Sequence, residues 1–307
     1  MKTTGKGWHR FKRYLPLFLM ALPGLTYLII NNYLPMSGLI VAFKDYNVRK
    51  GIWGSDWIGF KNFEYLFKTR DAWNITRNTI FYNLTFIALV TLLAVTLAVC
   101  LNEVKNKYLS RFFQTVFLLP HLVSMITVAY LTYAFLSQES GWINSIIMQL
   151  GGEPIAWYTQ SKYWPIILTV VYAWKQVGYS TILYYASIVG IDRSYYEAAE
   201  LDGATKWQQV YRITVPLIFP IIIMMVLLNI GKIFYSDFGL FYQVPMQSGP
   251  LMDITSTIDT YVYRGLMKLG DIGMSGAASF YQSVVGFITI FVCNWIVKKR
   301  SPENSLF

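Results

Sequence analysis

The chain has 307 residues, of which 55% are hydrophobic and 17% aromatic but only 14% charged. Because a soluble domain carries about 25% charged residues, this composition excludes an ordinary water-soluble protein and indicates a chain that lies in lipid. The formal net charge of +10 does not indicate nucleic-acid binding, because the lysines and arginines flank apolar segments, where they match anionic lipid headgroups.

Uncharged segments place the membrane spans, because a helix that crosses about 30 Å of hydrocarbon needs about 20 apolar residues. Four such segments contain no charged residue, and two more each contain a single lysine, Lys175 or Lys232. The sequence therefore predicts an all-α polytopic helical bundle with six transmembrane helices in one domain, residues 1–307. The predicted spans are about 14–42, 79–101, 112–136, 163–189, 215–236 and 277–297.

Two further segments lie between the spans. Residues 57–67, in the first outer loop, place apolar residues at helical spacing between charges, which predicts a helix that either lies in the membrane interface or packs on the protein itself. Residues 238–252 are uncharged, but the segment is short and contains Pro245, Gly249 and Pro250. We therefore expect a loop there.

The distribution of basic residues predicts the orientation. Fourteen lysines and arginines lie in the two tails and in the second and fourth loops, against ten in the opposite loops. Because short cytoplasmic loops carry an excess of lysine and arginine, both termini are expected in the cytoplasm. The first outer loop, which holds seven of the ten, is the exception to this pattern.

The fourth loop, residues 192–213, has the most specific pattern. Helix-forming residues extend to Asp202, Gly203 permits a sharp turn, and a second amphipathic stretch leads to Pro216. This pattern predicts a cytoplasmic hairpin of two short helices. Small residues around the glycine would let another protein approach the backbone, and acidic residues would match a basic partner.

This loop resembles the coupling segment of the membrane subunits of binding-protein-dependent ABC importers. Their signature is Glu-Ala-Ala, three residues, Gly, nine residues, Ile, one residue, an aliphatic residue and Pro. In this chain Val215 stands where leucine is usual. The other signature positions are filled in register by Glu197, Ala198, Ala199, Gly203, Ile213 and Pro216. The resemblance implies the type I ABC importer permease fold and a docking site for an ATPase subunit that also includes Leu201, Asp202 and Ala204.

Other strings resemble the branch of that family that imports plant and algal polysaccharide fragments, a relative of the maltose permeases. They are residues 33–36, 42–46, 51–55, 259–264 and 301–307. The resemblance implies a bacterial cell-membrane complex in which this chain pairs with a second permease. The implied complex also contains two ATPase subunits that bind ATP and Mg, and it receives an oligosaccharide from an extracellular solute-binding protein.

Enzymatic activity in the chain itself is not expected. The two Gly-Lys pairs are followed by Gly7 and Ile233, whereas a phosphate-binding loop needs serine or threonine there. The two histidines have no metal-ligand cluster around them, so no cofactor, metal or catalytic residue is predicted. The alternative is an ion-coupled secondary sugar transporter, but such proteins use carboxylates inside the membrane, and the carboxylates here lie at span ends or in loops.

The intramembrane lysines indicate a substrate path. A lysine near the middle of a span costs about 2.5–3.5 kcal/mol, so Lys175 is expected to face a cavity or a partner. The resemblance places sugar contacts at Gln176, Tyr179, Asn229, Lys232 and Ser236, with aromatic and hydroxyl chemistry also offered by Trp174, His121 and Ser124. Each could instead only pack between helices.

Two lysines along one path would favour an acidic oligosaccharide, such as a uronate fragment of pectin or alginate, because charge-assisted hydrogen bonds are strong in a low-dielectric cavity. A neutral oligosaccharide stays open. In that case Lys232 would extend outward or pair with Asp237, and Lys175 would meet a carboxylate on the second permease.

Overall fold

The structure, a computed structural model, describes residues 4–64, 68–302 and 305. Within these ranges, five helices are long and apolar enough to cross a membrane, and a sixth candidate crossing is a pair of shorter helices bent by 94°. The main helices are α1 (Thr4–Leu28), α2 (Arg70–Asn102), α3 (Lys107–Leu122), α4 (Met125–Leu136), α5 (Trp142–Gln149), α6 (Trp164–Val189), α7 (Arg193–Leu201), α8 (Val215–Ile230), α9 (Phe238–Gln243), α10 (Ile258–Arg264) and α11 (Ile272–Arg300).

Shorter elements connect these helices. Strands β1 (Lys44–Asp45) and β2 (Asp56–Trp57) form one antiparallel pair in the segment between α1 and α2. Single α-helical turns cover Leu34–Met36, Gly51–Gly54, Lys206–Gln209 and Met252–Thr255. Segments of 3-10 helix cover Ser37–Phe43, Lys61–Phe63, Trp157–Thr159, Ser161–Tyr163 and Gly249–Leu251, and π-helical turns cover Ile29–Tyr33, Val210–Thr214 and Gly265–Leu269.

Helices α2 and α6 form the centre of the bundle. Ala94 and Ala98 of α2 pack against Ala173 and Val177 of α6, and all four are buried. Small side chains let helix backbones approach closely. Such close van der Waals packing holds helices together in lipid, where the hydrophobic effect does not. Towards the start of α6, an aromatic core that includes the fully buried Trp164 continues the contact.

The first span barely contacts the rest of the chain. Residues 14–36 are all exposed, and only the 3-10 segment at the end of the span enters the core, where Val41 and Ala42 are buried. There the segment approaches α11 closely, since a Cβ added to Gly276 would lie 3.3 Å from the backbone nitrogen of Ala42. The exposed apolar face is therefore available to lipid or to another subunit.

The predicted third span, about 112–136, is not one continuous helix. The chain forms α3 and α4 instead, bent by 94° at Val123 and Ser124. The Ser124 hydroxyl accepts a hydrogen bond from the Thr127 amide and so begins a new helix. The last carbonyls of α3 are taken by the Lys175 ammonium.

The fifth span also ends earlier than the predicted 215–236, since α8 stops at Ile230. Side-chain amides from neighbouring helices take the carbonyls that a longer helix would use. The Asn83 amide donates to the carbonyls of Ile233 and Tyr235 at 2.8 and 3.0 Å. The Gln282 amide donates to the Phe234 carbonyl at 2.6 Å.

Both predictions for the loops need correction. The region 238–252 is not an irregular loop, because it contains α9 and short helical turns whose residues Leu240 and Leu251 are fully buried. The helix predicted over 57–67 does not begin at Trp57, which lies in β2. Residues 65–67 of that prediction lie outside the described ranges.

Candidate functional site

A cavity of about 440 Å³ lies between α2, α6, α8 and the segment that follows α8. Amides, hydroxyls and aromatic rings form much of its wall, and it carries one lysine and one aspartate. The lining residues are Asn83, Phe86, Ile87, Val90, Thr91, Tyr172, Gln176, Tyr179, Ser180, Leu183, Tyr184, Met225, Asn229, Lys232, Tyr235, Ser236 and Asp237. Rings that stack and amides that bond hydroxyls suit a polyhydroxylated ligand.

The structure brings five of the predicted path residues together in this cavity: Gln176, Tyr179, Asn229, Lys232 and Ser236. Their roles within it differ. Asn229 and Lys232 are exposed to the cavity, whereas the Ser236 hydroxyl already donates to Asp259 at 2.8 Å.

His121 contacts two of the side chains that line this cavity. Its Nδ1 lies 3.2 Å from the Gln176 side-chain oxygen, and its ring stacks on Tyr179 with centroids 4.8 Å apart. His121 therefore supports two lining side chains without lining the cavity itself.

Besides His121, three other predicted path residues do not line the cavity. Trp174 is 44% exposed on a different face of α6. Ser124 caps α4. Lys175 is buried, with its Nζ 3.4, 3.0 and 2.5 Å from the carbonyls of Pro120, His121 and Val123. Lys175 was expected to face a cavity or a partner; it does not line this cavity, and its partners are backbone carbonyls at the end of α3. Among the lining residues, Lys232 alone carries positive charge.

Lys232 and Asp237 share the cavity without a direct ion pair. Among the described residues, no carboxylate oxygen lies within 4 Å of the Lys232 ammonium. The Asp237 carboxylate instead caps α9 by accepting from the Leu240 amide at 3.0 Å. The Lys232 ammonium is thus available to an anionic group, although Asp237 reduces the net positive potential around it.

Sequence reasoning missed the contribution of α2. Asn83 binds the backbone of the segment that carries Lys232, and Thr91 lines the same wall. Their spacing of eight residues, with Ile87 between them, puts all three on one helix face. Polar residues spaced eight apart on one face of a mostly apolar span were the signal that could have indicated a cavity wall.

The hairpin of the fourth loop consists of α7, a turn at Gly203, and the helical segment that runs from Lys206 into α8. Gly203 has φ +75°, a left-handed conformation that glycine adopts without steric cost. The Asp192 side chain caps α7 and the Thr205 side chain caps the second segment. Leu201, beside the turn, is 90% exposed.

Apolar side chains project from this hairpin. Trp207 and Tyr211 are 73% and 71% exposed, and their ring centroids are 6.4 Å apart. The hairpin also has an internal ion pair, because the Lys206 ammonium donates to the Glu200 carboxylate at 2.7 Å. That hydrogen bond holds the pKa of the Glu200 carboxyl below its usual range. The hairpin therefore carries both exposed apolar side chains and a hydrogen-bonded charged pair.

Residues 90–300 match the family described as binding-protein-dependent transport system inner membrane component. The chain belongs to this family. It is a membrane permease subunit of an ABC transporter and not itself an enzyme, and its bundle has the type I ABC importer permease fold.

Similar proteins cover almost the whole permease. It is 36% identical to protein LplB of Bacillus subtilis (strain 168), over 98% of this chain and 95% of LplB. It is 33% identical to the polygalacturonan/rhamnogalacturonan transport system permease protein YteP of the same organism, over 94% of this chain and 89% of YteP.

A solved structure is similar along the same length. A chain from a bacterial ABC transporter involved in the import of the acidic polysaccharide alginate superposes with a TM-score of 0.88 at 29% identity, covering 96% of this chain and 99% of that one. A second structure of the bacterial alginate ABC transporter, in complex with an alginate pentasaccharide-bound periplasmic protein, matches with a TM-score of 0.87 at 29% identity, over 96% of this chain and 98% of that one.

Proposed function

We propose that this permease imports acidic, uronate-containing oligosaccharides. The observation that carries the proposal is the Lys232 ammonium, which faces a cavity of rings, amides and hydroxyls and has no carboxylate within 4 Å among the described residues. The similarity to permeases for polygalacturonan and alginate supports it. A carboxylated sugar would supply the charge-assisted hydrogen bond that Lys232 lacks.

A neutral oligosaccharide is the second candidate, because Asp237 lines the same cavity. If Asp237 were to neutralise Lys232 at longer range, the cavity would offer a neutral surface of amides and rings. The two candidates differ in what removal of the Lys232 charge does.

We expect Lys232→Met to reduce uptake of a trigalacturonate at least about tenfold more than uptake of a neutral trisaccharide, because a lost charge-assisted bond is worth about 1.5–3 kcal/mol. Radiolabelled uptake into cells or vesicles that contain equal amounts of complex measures both. Asn229→Ala is the matched control, since it removes a cavity contact without a charge and should affect both sugars. Equal losses for Lys232→Met would contradict the acidic substrate.

The partners are part of the proposal. We expect a 1:1 heterodimer with a second permease, two ATPase subunits that bind ATP and Mg, and a detachable extracellular solute-binding protein. The exposed apolar first span is consistent with a second subunit. Native mass spectrometry of the solubilised complex should give this stoichiometry. A transport-competent homodimer would contradict it.

The ATPase is proposed to dock on the hairpin of residues 192–213. Leu201, Trp207 and Tyr211 offer an apolar surface that a groove on another protein would cover, and surfaces of this kind mark interaction sites. Energy would then come from ATP rather than from an ion gradient, so uptake should persist when the proton gradient is collapsed and ATP is maintained.

Docking on this hairpin requires it to face the cytoplasm. We therefore place both termini in the cytoplasm of a bacterial cell, in agreement with the excess of basic residues in the tails and in the second and fourth loops. Cysteine labelling at Ser194→Cys with a membrane-impermeant reagent, in a background where Cys100 and Cys293 are replaced, should occur only after the membrane is opened.

A further inference from the structure

Lys175 and the broken end of α3 form a buried polar cluster that the cavity does not include. The Lys175 ammonium has three N–H donors, and three backbone carbonyls, those of Pro120, His121 and Val123, lie within 3.4 Å of it. The side chain is 9% exposed and has no carboxylate within 4 Å in the described ranges. Three carbonyl oxygens therefore stabilise the charge of the Lys175 ammonium in place of a carboxylate.

The cluster answers a need that the bend creates. A helix that ends leaves its last carbonyls without backbone partners, and inside a membrane no water replaces them. The same end carries the negative pole of the helix dipole, which favours a cation. A lysine that is costly on its own in a span thus becomes compatible with the membrane because α3 ends beside it.

Close backbone contact brings the two elements together. A Cβ added to Gly178 would lie 1.8 Å from the Phe117 carbonyl oxygen, so α6 touches the α3 backbone at this point. Lys175 and Gly178 are three residues apart and share one helix face. Gly178 permits the short distance between α6 and α3, and Lys175 forms the hydrogen bonds between them.

The capped turn also carries His121. Its carbonyl accepts from Lys175 at 3.0 Å, while its ring contacts Gln176 and stacks on Tyr179. Both of these side chains line the cavity. The His121 ring therefore links the last turn of α3, which Lys175 caps, to two side chains of the cavity wall.

We propose that Lys175 is a positioning residue for transport: its ammonium caps the broken end of α3 and so holds the His121 ring against Gln176 and Tyr179 in the cavity wall. It contacts backbone carbonyls and not the substrate. The role goes beyond membrane insertion, because it links a buried cation to the shape of the substrate cavity.

The test measures apparent KM and maximal rate of uptake, per assembled complex, for Lys175→Met, His121→Ala and the double variant. We expect both single variants to raise apparent KM by a similar factor, on the order of tenfold, and the double variant to add little, because residues that act through one another are not additive. The factor should be the same for acidic and neutral sugars. Lys175→Arg, which keeps the cation, should restore part of the loss.

Other outcomes overturn the proposal. A larger KM effect of Lys175→Met on acidic than on neutral sugars would make it a substrate contact. Fully additive effects, or an unchanged KM in His121→Ala, would remove the link through the imidazole. If Lys175→Met does not assemble, Lys175→Gln, which keeps two donors, replaces it in the same comparison with His121→Ala and the double variant. Lys232→Met combined with His121→Ala provides an additive reference.

Discussion

Replacement of Gly203 by leucine is expected to abolish most transport, with uptake at least about tenfold lower, equivalent to about 1.4 kcal/mol of lost coupling. Gly203 lies at the tip of the hairpin with φ +75°, where an L-residue costs about 1–2 kcal/mol. Leucine would therefore distort the turn, and it would also add bulk next to the 90% exposed Leu201. Substrate uptake and ATP hydrolysis, measured on the same reconstituted complex, check this expectation.

Two matched variants separate the turn from general damage. Gly151→Leu makes the same change at φ +82°, in the loop after α5, where an added Cβ also has open space around it. It should leave uptake nearly normal. Gly203→Asn should retain more uptake than Gly203→Leu, because asparagine tolerates the left-handed conformation. Full uptake by Gly203→Leu would refute the assignment of the hairpin as the coupling element.

Gly178→Ala is expected to be the most destabilising single-methyl change in the bundle. The added Cβ would lie 1.8 Å from the Phe117 carbonyl oxygen and 2.4 Å from its carbon, and these are backbone atoms that cannot rotate away. Overpacking costs about 1–3 kcal/mol, and occasionally more. We expect about 3 kcal/mol here, seen as a lower thermal unfolding midpoint of the purified complex or as loss of the permease from the membrane.

Gly190→Ala is the control for that change. Gly190 ends the same helix, and its added Cβ would make only ordinary contacts, 3.4 and 3.7 Å from the nearest carbonyl oxygens. The midpoint should stay the same or rise slightly, since alanine is up to about 1 kcal/mol more favourable than glycine in helices. If the two variants melted alike, α3 and α6 would not be in backbone contact.

Much of the permease could be predicted from its sequence because the determining forces act locally. A run of apolar residues must form a helix in lipid, whatever its neighbours, since its backbone groups have no other partner there. The fold class and the family followed from such runs and from the spacing of Glu197, Ala198, Ala199 and Gly203. Gln176, Tyr179, Asn229 and Lys232 were predicted path residues, and the fold brings them to one cavity.

What the tertiary structure decided concerns polar groups whose partners lie far along the chain. Asn83 takes backbone carbonyls about 150 residues away and helps to end α8 early. Lys175 finds its partners at the end of α3, more than 50 residues away. Local pattern cannot show which carbonyl a long-range donor will reach. For that reason the sequence alone determined that a lysine in the fourth span needs a partner, and only the packing of α3 against α6 decided that backbone carbonyls at the end of α3 are its partners.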